Sequence, residues 1–304
     1  MKRILRSSFV PAAAGVLITS LGLSTTAIAK DDNESSLETA IERFVKSQRA
    51  SGAVQSNERT AWVVYDLTTR QKLASINENT SLQAASMIKP YLALAFFHQV
   101  NAGQLRYGPI SRKHMELMIQ KSDNDSTNWV MRQTGGPAKT SRLLKAHYPQ
   151  LCRQLSLVEY IPAGGRTYSN RESAADYTRF LIELWNKRLP YSTEILRLMG
   201  LPGIDRLYTR VRSVPEGTKV FNKTGSTAMC CGDMGILLAK GENGKTYPYI
   251  LVGIIERKTR TKAYGSWISG RANVIRGVSN LTYQAMARKH HIPKPIKKES
   301  ANMM

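Results

Sequence analysis

Three short motifs stand in a set order along this chain, and any fold has to place them. Residues 86–89 read Ser-Met-Ile-Lys, residues 122–124 read Ser-Asp-Asn, and residues 223–226 read Lys-Thr-Gly-Ser. Ser86 is the only serine with a lysine at the third following position. Because each motif alone occurs by chance in many chains of this length, the information lies in their order and combination.

The first motif combines a nucleophile with a candidate base. A serine hydroxyl attacks weakly until a base removes its proton, and Lys89 follows Ser86 by one turn on the same face of a predicted helix. A lysine amine accepts that proton only where burial or a neighbouring cation lowers its pKa. Taken alone, the first motif also fits an exposed helix, the second a helix cap, and the third an edge strand with an exposed lysine.

The periodicity between the motifs predicts an α+β chain. Apolar residues at helical spacing indicate a first helix that ends near Gly52, and a β-rich hairpin follows it. Helical patterns then dominate as far as residue 199, with Ser169 or Asn170 as the cap of the helix that ends near Trp185. The predicted strands are residues 59–67, 72–76, 219–224, 233–240 and 247–256, and a last helix spans residues 269–288.

The motifs and this order of elements together resemble the class A β-lactamases and, more broadly, the penicillin-binding serine hydrolases. The resemblance implies an α+β, β-lactamase/transpeptidase-like fold, in which a five-stranded antiparallel sheet flanked by helices lies beside an all-helical lobe. It implies one catalytic domain over residues 30–290. Within this domain the sheet lobe takes residues 30–80 and 205–290, and the helical lobe takes residues 81–204.

The resemblance also implies roles for the motif residues. Ser86 would be the nucleophile and Lys89 its base. Ser122 would relay a proton to the leaving nitrogen, with Lys223 as a positive charge beside it, and the backbone amides of Ser86 and Ser226 would form the oxyanion hole. Neither a cofactor nor a metal is implied. The residues implied to bind substrate are Asn124, Thr224, Gly225, Ser226 and Arg210. Arg210 and Arg206 lie on a predicted short helix, in the region where the family places a carboxylate-binding arginine.

Two departures from the class A pattern leave the reaction open. Ser122 follows Ser86 by only 36 positions, fewer than in class A enzymes, which predicts a more open cleft on that side. The Glu-x-x-Leu-Asn pattern that carries the deacylating glutamate of class A is absent. Glu159, in a predicted loop over residues 151–168, is the candidate deacylation base, and the alternative is an ordinary solvated carboxylate.

Three functions therefore remain. The first is a serine hydrolase of amide bonds that opens β-lactams through an acyl-Ser86 intermediate. The second is a D-alanyl-D-alanine peptidase or transpeptidase of peptidoglycan that β-lactams inhibit. The third is a non-hydrolytic, penicillin-recognising binding module. The retained motifs favour an enzyme over the module, and the overall organisation favours the first function.

The ends of the chain predict export. A basic start, an apolar run and the small residues before Lys30 are typical of a signal peptide over residues 1–29, cleaved near Ala29. We therefore expect a periplasmic or secreted monomer without a transmembrane segment. The net charge of +22 falls to +19 when the three cations of the signal peptide are removed. That charge favours anionic envelope polymers over nucleic acid as partners, and residues 291–304 form a basic tail.

The three cysteines leave disulfide pairing open. Cys152 could pair with Cys230 or Cys231 if their Cα atoms lie within about 7 Å, and a bond between the adjacent Cys230 and Cys231 is a strained alternative. The five histidines show no ligand spacing beside these cysteines, which argues against a metal site.

Overall fold

The computed structural model describes residues 32–293 except residues 163, 165 and 167. The predicted signal peptide and residues 294–304 of the predicted basic tail lie outside these residues. None of the described helices combines the length and apolar character that crossing a bilayer requires.

The described strands are β1 (Glu58–Asp66), β2 (Gln71–Ile76), β3 (Leu82–Gln83), β4 (Arg171–Glu172), β5 (Lys219–Ser226), β6 (Cys230–Lys240) and β7 (Thr246–Arg257). The described α-helices are α1 (Asp32–Ala50), α2 (Lys89–Asn101), α3 (Pro109–Gln120), α4 (Asn124–Gln133), α5 (Pro137–His147), α6 (Ala174–Trp185), α7 (Ser192–Met199) and α8 (Tyr264–Lys289). The five longer strands form one antiparallel sheet in the order β2-β1-β7-β6-β5.

Both faces of the sheet are buried, so its central strands are apolar on both sides. Successive side chains of a strand point to opposite faces. Val63 of β1 therefore lies in the core shared with α2 and α6, whereas its neighbours Trp62 and Val64 lie in the core shared with α1 and α8. The predicted α+β class, with a five-stranded antiparallel sheet, is confirmed. The division of the domain into lobes at residues 80 and 204 stays a prediction.

Helices α1 and α8 approach each other closely at Gly277. A Cβ atom at this position would lie 2.2 Å from Cζ of Phe44, far inside van der Waals contact. Only glycine lets the Phe44 ring sit against the α8 backbone, which brings the first helix onto the last.

A buried ion pair joins the sheet to α8. Glu58 opens β1, and its carboxylate accepts hydrogen bonds from Nε and Nη2 of Arg271 at 2.8–3.1 Å. Nε1 of Trp267 donates to the same carboxylate at 2.6 Å. The Glu58 side chain is fully buried and that of Arg271 is 9% exposed. Water therefore screens this pair little, and each charge depends on the other for compensation.

The two shortest strands were not predicted. β3 pairs with β4 through Leu82–Glu172 and Gln83–Arg171, about 90 positions apart in sequence. Two residues show no periodicity, so tertiary pairing alone defines these strands. The same pairing moves the start of α6: its cap is Ser173, whose Oγ accepts from the amide of Asp176 at 3.1 Å, and the predicted caps Ser169 and Asn170 precede the strand.

All three cysteines are buried free thiols. Cys152 and Cys230 lie in the core that contains α2 and α6, while Cys231 lies in the core that contains α1 and α8. Cys230 and Cys231 are consecutive residues of β6, so their side chains point to opposite faces of the sheet.

Candidate active site

Ser86 lies on a tight turn that leads into α2. Ala85–Ile88 forms a short 3-10 helix, and α2 begins at Lys89, so the helix predicted from residue 86 starts as a tighter coil. Ala85 holds a left-handed conformation with φ of 45°, which costs about 1–3 kcal/mol in a non-glycine residue. Ser86 is half-buried between the buried Ala85 and Met87. Ser86 is therefore the one residue of this buried turn whose side chain is partly exposed to solvent.

The second motif holds the Lys89 amine. Lys89 is fully buried. Its Nζ donates to the backbone carbonyl of Ser122 at 2.6 Å, to Oγ of Ser122 at 3.1 Å and to Oδ1 of Asn124 at 3.1 Å. Within the described residues the Ser86 hydroxyl has no hydrogen-bond partner. Catalytic hydrogen bonds often tighten only when substrate binds, and the shared helical turn keeps Lys89 next to Ser86.

The Ser122 hydroxyl lies between two buried lysine amine nitrogens. Nζ of Lys89 and Nζ of Lys223 each donate to Ser122 Oγ at 3.1 Å. Ser122 itself has a positive φ of 56°, a backbone conformation that residues outside glycine adopt at a cost. Asp123 caps α4 by accepting from the amide of Ser126 at 2.7 Å. The cap fixes the turn, and the turn aims the Ser122 hydroxyl at both lysines.

Burial depresses the pKa of both lysines. For Lys89, burial and then the charge of Lys223 hold the pKa well below its usual value, against an opposing effect of Asp123. For Lys223, burial lowers the pKa to about 8; Asp233 opposes this shift and Arg206 adds to it. The lowered pKa of Lys89 favours its neutral amine, which is the form that accepts a proton from serine.

The third motif packs directly on the Ser86 turn. A Cβ atom on Gly225 would lie 3.0 Å from Cγ of Met87 and 3.1 Å from Cβ of Ala85. Contacts this short leave little room for a side chain, so glycine allows β5 to approach the turn. The neighbouring Thr224 and Ser226 are half-buried along the same strand. The amides of Ser86 and Ser226, predicted as the oxyanion hole, thus belong to segments in contact.

Arg206, and not Arg210, contacts the third motif. Arg206 is 3% exposed. Its Nη2 donates to Ser226 Oγ at 2.7 Å and its Nη1 to the carbonyl of Gly232 at 2.8 Å. Arg210 is exposed and has a φ of 65°, because residues 205–210 form turns in place of the predicted short helix. No described contact joins Arg210 to the three motifs.

Two further polar residues position Arg206 and were missed. Oδ2 of Asp233, on β6, accepts from the amide of Arg206 at 2.7 Å, and Nδ2 of Asn222 donates to the same carboxylate. Burial raises the pKa of Asp233 to about 6, while Arg206 and Asn222 lower it. The one signal in the sequence was an acidic residue at the start of the mainly apolar predicted strand over residues 233–240.

Glu159 is bonded into its own loop near the Ser86 segment. Its Oε1 accepts from the amides of Tyr168 and Ser169, each at 2.9 Å. Oδ1 of Asn170 accepts from the backbone amide of Glu159, and Nδ2 of Asn170 donates to the backbone carbonyl of Glu159, each at 3.1 Å. The carbonyl of Asn170 accepts from the amide of Ala84 at 2.9 Å, two residues before Ser86. One residue therefore links the Glu159 loop to the nucleophile turn.

The described residues contain no group of three or more His, Cys, Asp or Glu side chains arranged to hold a metal ion. The motifs bring to the site the hydroxyls of Ser86 and Ser122, two lysine amines and the Asn124 amide, with the buried Arg206 beside them. Such a set can form and stabilise an ester on serine.

A sequence model of the β-lactamase enzyme family matches residues 37–108 and 111–286, most of the chain. This chain belongs to the β-lactamase enzyme family. The predicted resemblance to class A β-lactamase-like serine hydrolases is confirmed. A search of curated proteins finds no match.

Solved structures share the fold of this β-lactamase-family chain at low identity. A mutant of PBP-A, solved as its acyl-enzyme complex with penicillin G, has a TM-score of 0.65 and 19% identity over 84% of this chain and 97% of that one. An ancestral class A β-lactamase has a TM-score of 0.63 and 19% identity, over 82% and 99%. A β-lactamase from Chitinophaga pinensis DSM 2588 has a TM-score of 0.64 and 16% identity, over 83% and 99%.

The pKa of Lys223 predicts an alkaline limit for carboxylate-bearing substrates. The ammonium is lost as pH rises through about 8, so the second-order rate constant for acylation by a penicillin should fall about fivefold between pH 8 and pH 9 relative to the methyl ester of the same penicillin. A base common to both compounds affects both rates equally and cancels in the ratio. Stopped-flow rates across pH 6–10 measure it, and a constant ratio would exclude Lys223 as the carboxylate partner.

Proposed function

We propose that this chain is an exported serine hydrolase that opens β-lactams by forming an ester on Ser86. One observation carries the proposal: Ser122 Oγ lies 3.1 Å from each of two buried lysine amines. A hydroxyl in that position can pass a proton between Lys89 and a departing nitrogen. Burying two lysine amines costs free energy, and a purely structural role for Ser86 and Lys89 on an exposed helix would not require it.

The acylation step balances with these residues alone. The Ser86 hydroxyl proton moves to the neutral Lys89 amine while Ser86 Oγ bonds the lactam carbonyl carbon. The carbon–nitrogen bond then breaks, and the nitrogen takes the proton of Ser122, which Lys89 restores. Backbone amides of Ser86 and Ser226 face the developing oxyanion in this proposal. Lys223 and Ser226 bind the substrate carboxylate in this proposal. Arg206 orients Ser226 by donating to its Oγ.

Release of the acyl group requires water and a base, and Glu159 is the proposed base. We expect Glu159→Gln to slow deacylation at least about 100-fold, because an amide cannot accept the proton of water. Glutamine keeps an acceptor oxygen for the amides of Tyr168 and Ser169, so the loop contacts are retained. The lifetime of the penicillin adduct, followed by intact mass, is the measurement. An unchanged lifetime would assign Glu159 a structural role only.

A D-alanyl-D-alanine peptidase is the second candidate, and the same loop favours it. One oxygen of the Glu159 carboxylate is engaged by two backbone amides of its own loop. A carboxylate used to brace a loop is less available for activating water. In that case Ser86 would still be acylated, but the β-lactam adduct would persist and a peptide ester would be hydrolysed.

Intact mass after mixing with penicillin G separates the candidates. Transient gain of one penicillin mass, followed by return to the free mass with substrate consumed, supports the β-lactamase. A persistent adduct together with cleavage of a D-alanyl-D-alanine peptide supports the peptidase. Ser86→Ala should form no adduct in either case. If the unmodified chain forms no adduct at all, the acyl-serine proposal is wrong.

Export belongs to the same proposal. We propose that the signal peptide is removed near Ala29 and that the chain acts in the periplasm or outside the cell, where its positive charge attracts anionic envelope polymers. Fractionation of expressing cells and N-terminal sequencing test this. Full-length protein retained in the cytoplasm would contradict it.

A further inference from the structure

A buried glutamine precedes the Ser86 turn. Gln83 belongs to β3, three residues before Ser86, and is 1% exposed. Its Oε1 accepts a hydrogen bond from Oγ1 of Thr227 at 2.8 Å. Thr227 is also buried, and it directly follows Ser226 in the sequence. This one hydrogen bond therefore links the segment that carries Ser86 to the segment that carries Ser226.

The backbone of Gln83 is held as well as its side chain. Its amide donates to Oε1 of Glu256 at 2.9 Å, and its carbonyl accepts from the thiol of Cys230 at 3.4 Å. Glu256 is a buried residue of β7, and Arg59 and Arg171 both form ion pairs with its carboxylate. Because the two arginines compensate its charge, this carboxylate is a strong acceptor for the Gln83 amide. Gln83 is thereby fixed relative to the five-stranded sheet.

The Thr227 hydroxyl uses all of its hydrogen-bonding capacity. A hydroxyl has one proton to donate and two lone pairs that accept. Oγ1 of Thr227 accepts from the amides of Met229 and Cys230, at 3.0 and 2.9 Å. Its proton is therefore directed at Gln83, and the turn between β5 and β6 forms around a hydroxyl whose orientation is fixed.

The proposed oxyanion hole needs a constraint of this kind. Its two donors, the amides of Ser86 and Ser226, are 140 positions apart in sequence. Both have to lie about 2.7–3.1 Å from the oxygen that becomes negative in the transition state. The packing of Gly225 on Ala85 and Met87 limits how closely the two segments approach, but van der Waals contact has little directionality. A hydrogen bond is directional, so it also fixes how the segments lie relative to each other.

We propose that Gln83 and Thr227 are positioning residues that hold the two amides of the oxyanion hole at the spacing that the oxyanion requires. The inference rests on the proposed acylation of Ser86 and adds to it. Both residues act through the backbone of Ser86 and Ser226, and neither takes part in proton transfer. Their loss should therefore weaken stabilisation of the transition state, while substrate binding and the titration of the base stay unchanged.

Gln83→Met is the variant that tests the proposal. Methionine has a similar length and keeps the backbone hydrogen bonds, but it offers Thr227 no oxygen acceptor. Loss of a whole oxyanion-hole donor costs roughly 10²–10³-fold in rate, and a displaced donor should cost less. The maximal rate of lactam-ring opening should fall about tenfold, with the half-saturating concentration changed less than about twofold and the shape of the pH profile unchanged. Single-turnover absorbance, with the chain in excess over penicillin, measures this rate whether or not the ester is then released.

Three further variants show whether the hydrogen bond is responsible. Thr227→Ser retains the hydroxyl and should keep the maximal rate within about threefold of the parent. The double variant Gln83→Met with Thr227→Val should be no slower than the slower of its two single variants, because both substitutions remove the same hydrogen bond. Gln99→Met is the matched control and should leave the rate unchanged. Gln99 is another buried glutamine, on α2, and lies about 15 Å from Lys89 along the helix at 1.5 Å per residue.

The outcomes separate this inference from the function on which it rests. If the unmodified chain neither opens the lactam ring nor forms an adduct, the acyl-serine proposal is wrong. If it does acylate, and a folded Gln83→Met variant acylates within about twofold of it, the positioning proposal is wrong and the acyl-serine proposal stands. A loss that affects only the half-saturating concentration also overturns the positioning proposal. If circular dichroism shows that Gln83→Met is unfolded, Gln83→Asn repeats the test with a side-chain amide that is one methylene too short to reach Thr227.

Discussion

Replacing Lys89 with methionine should lower the rate constant for acylation of Ser86 by penicillin about 1,000-fold. General base catalysis contributes roughly 10²–10⁴-fold, and Lys89 is the buried amine one turn from the nucleophile. Methionine has a similar shape and no charge, and burial already holds the pKa of Lys89 well below its usual value. Methionine also leaves the Ser122 carbonyl and Asn124 Oδ1 without their Lys89 donor, which should lower the free energy of unfolding by about 1–3 kcal/mol, so the rate is measured at a temperature where the variant is folded. Quenched-flow mass spectrometry measures the rate, and thermal unfolding measures the fold.

Lys113→Met is the matched control for this experiment. Lys113 is an exposed lysine of α3, outside the three motifs, so its loss should change the acylation rate less than about twofold. A Lys89→Met variant that is folded and still acylates within about threefold of the parent would remove Lys89 as the base and leave Ser86 without an identified proton acceptor.

The second large effect concerns stability. Arg271→Met should lower the free energy of unfolding by about 3–5 kcal/mol, because it leaves the fully buried Glu58 carboxylate without its ionic partner. The hydrogen bond from Trp267 remains, but a neutral donor compensates a buried charge only partly. Urea unfolding at pH 7 measures the change.

Two control variants test whether the lost free energy of unfolding comes from the unpaired Glu58 charge. The double variant Glu58→Met with Arg271→Met should recover most of the lost stability, since no unpaired charge stays buried. Arg188→Met removes the exposed partner of Glu183, where Arg188 is 61% exposed, and should cost less than about 1 kcal/mol. A loss below about 1 kcal/mol for Arg271→Met would show that Glu58 is neutralised or rehydrated in the folded chain.

The sequence predicted the long elements well because their periodicity is local. β1, β7 and α6 carry patterns that follow from burial on one face or on both, and their bounds were predicted to within a few residues. β3 and β4 have two residues each and exist only because distant segments pair, so no local pattern announces them. α8 begins five residues earlier than predicted, at Tyr264, because Gly265 weakens the helical signal of its first turn.

The site divides in the same way. The motifs identified the serines and lysines that the fold brings together, and spacing alone placed Lys89 near Ser86. Spacing could not choose between Arg206 and Arg210. That choice depends on Asp233, 27 positions after Arg206, and on a turn in which Asp205 Oδ1 accepts from the amides of three following residues. A contact between two strands and a turn leaves no recognisable sequence pattern in any one of these segments.

During folding, insertion of β6 into the sheet competes with disulfide formation between its two consecutive cysteines. In the folded sheet their thiols lie in different cores, Cys230 on one face and Cys231 on the other. A disulfide between neighbours in an unfolded chain requires both sulfurs on the same side, with a distorted peptide between them. Such a chain cannot seat β6 between β5 and β7. If export delivers the chain to an oxidising compartment, we therefore expect the yield of folded protein to depend on how fast the sheet closes relative to thiol oxidation.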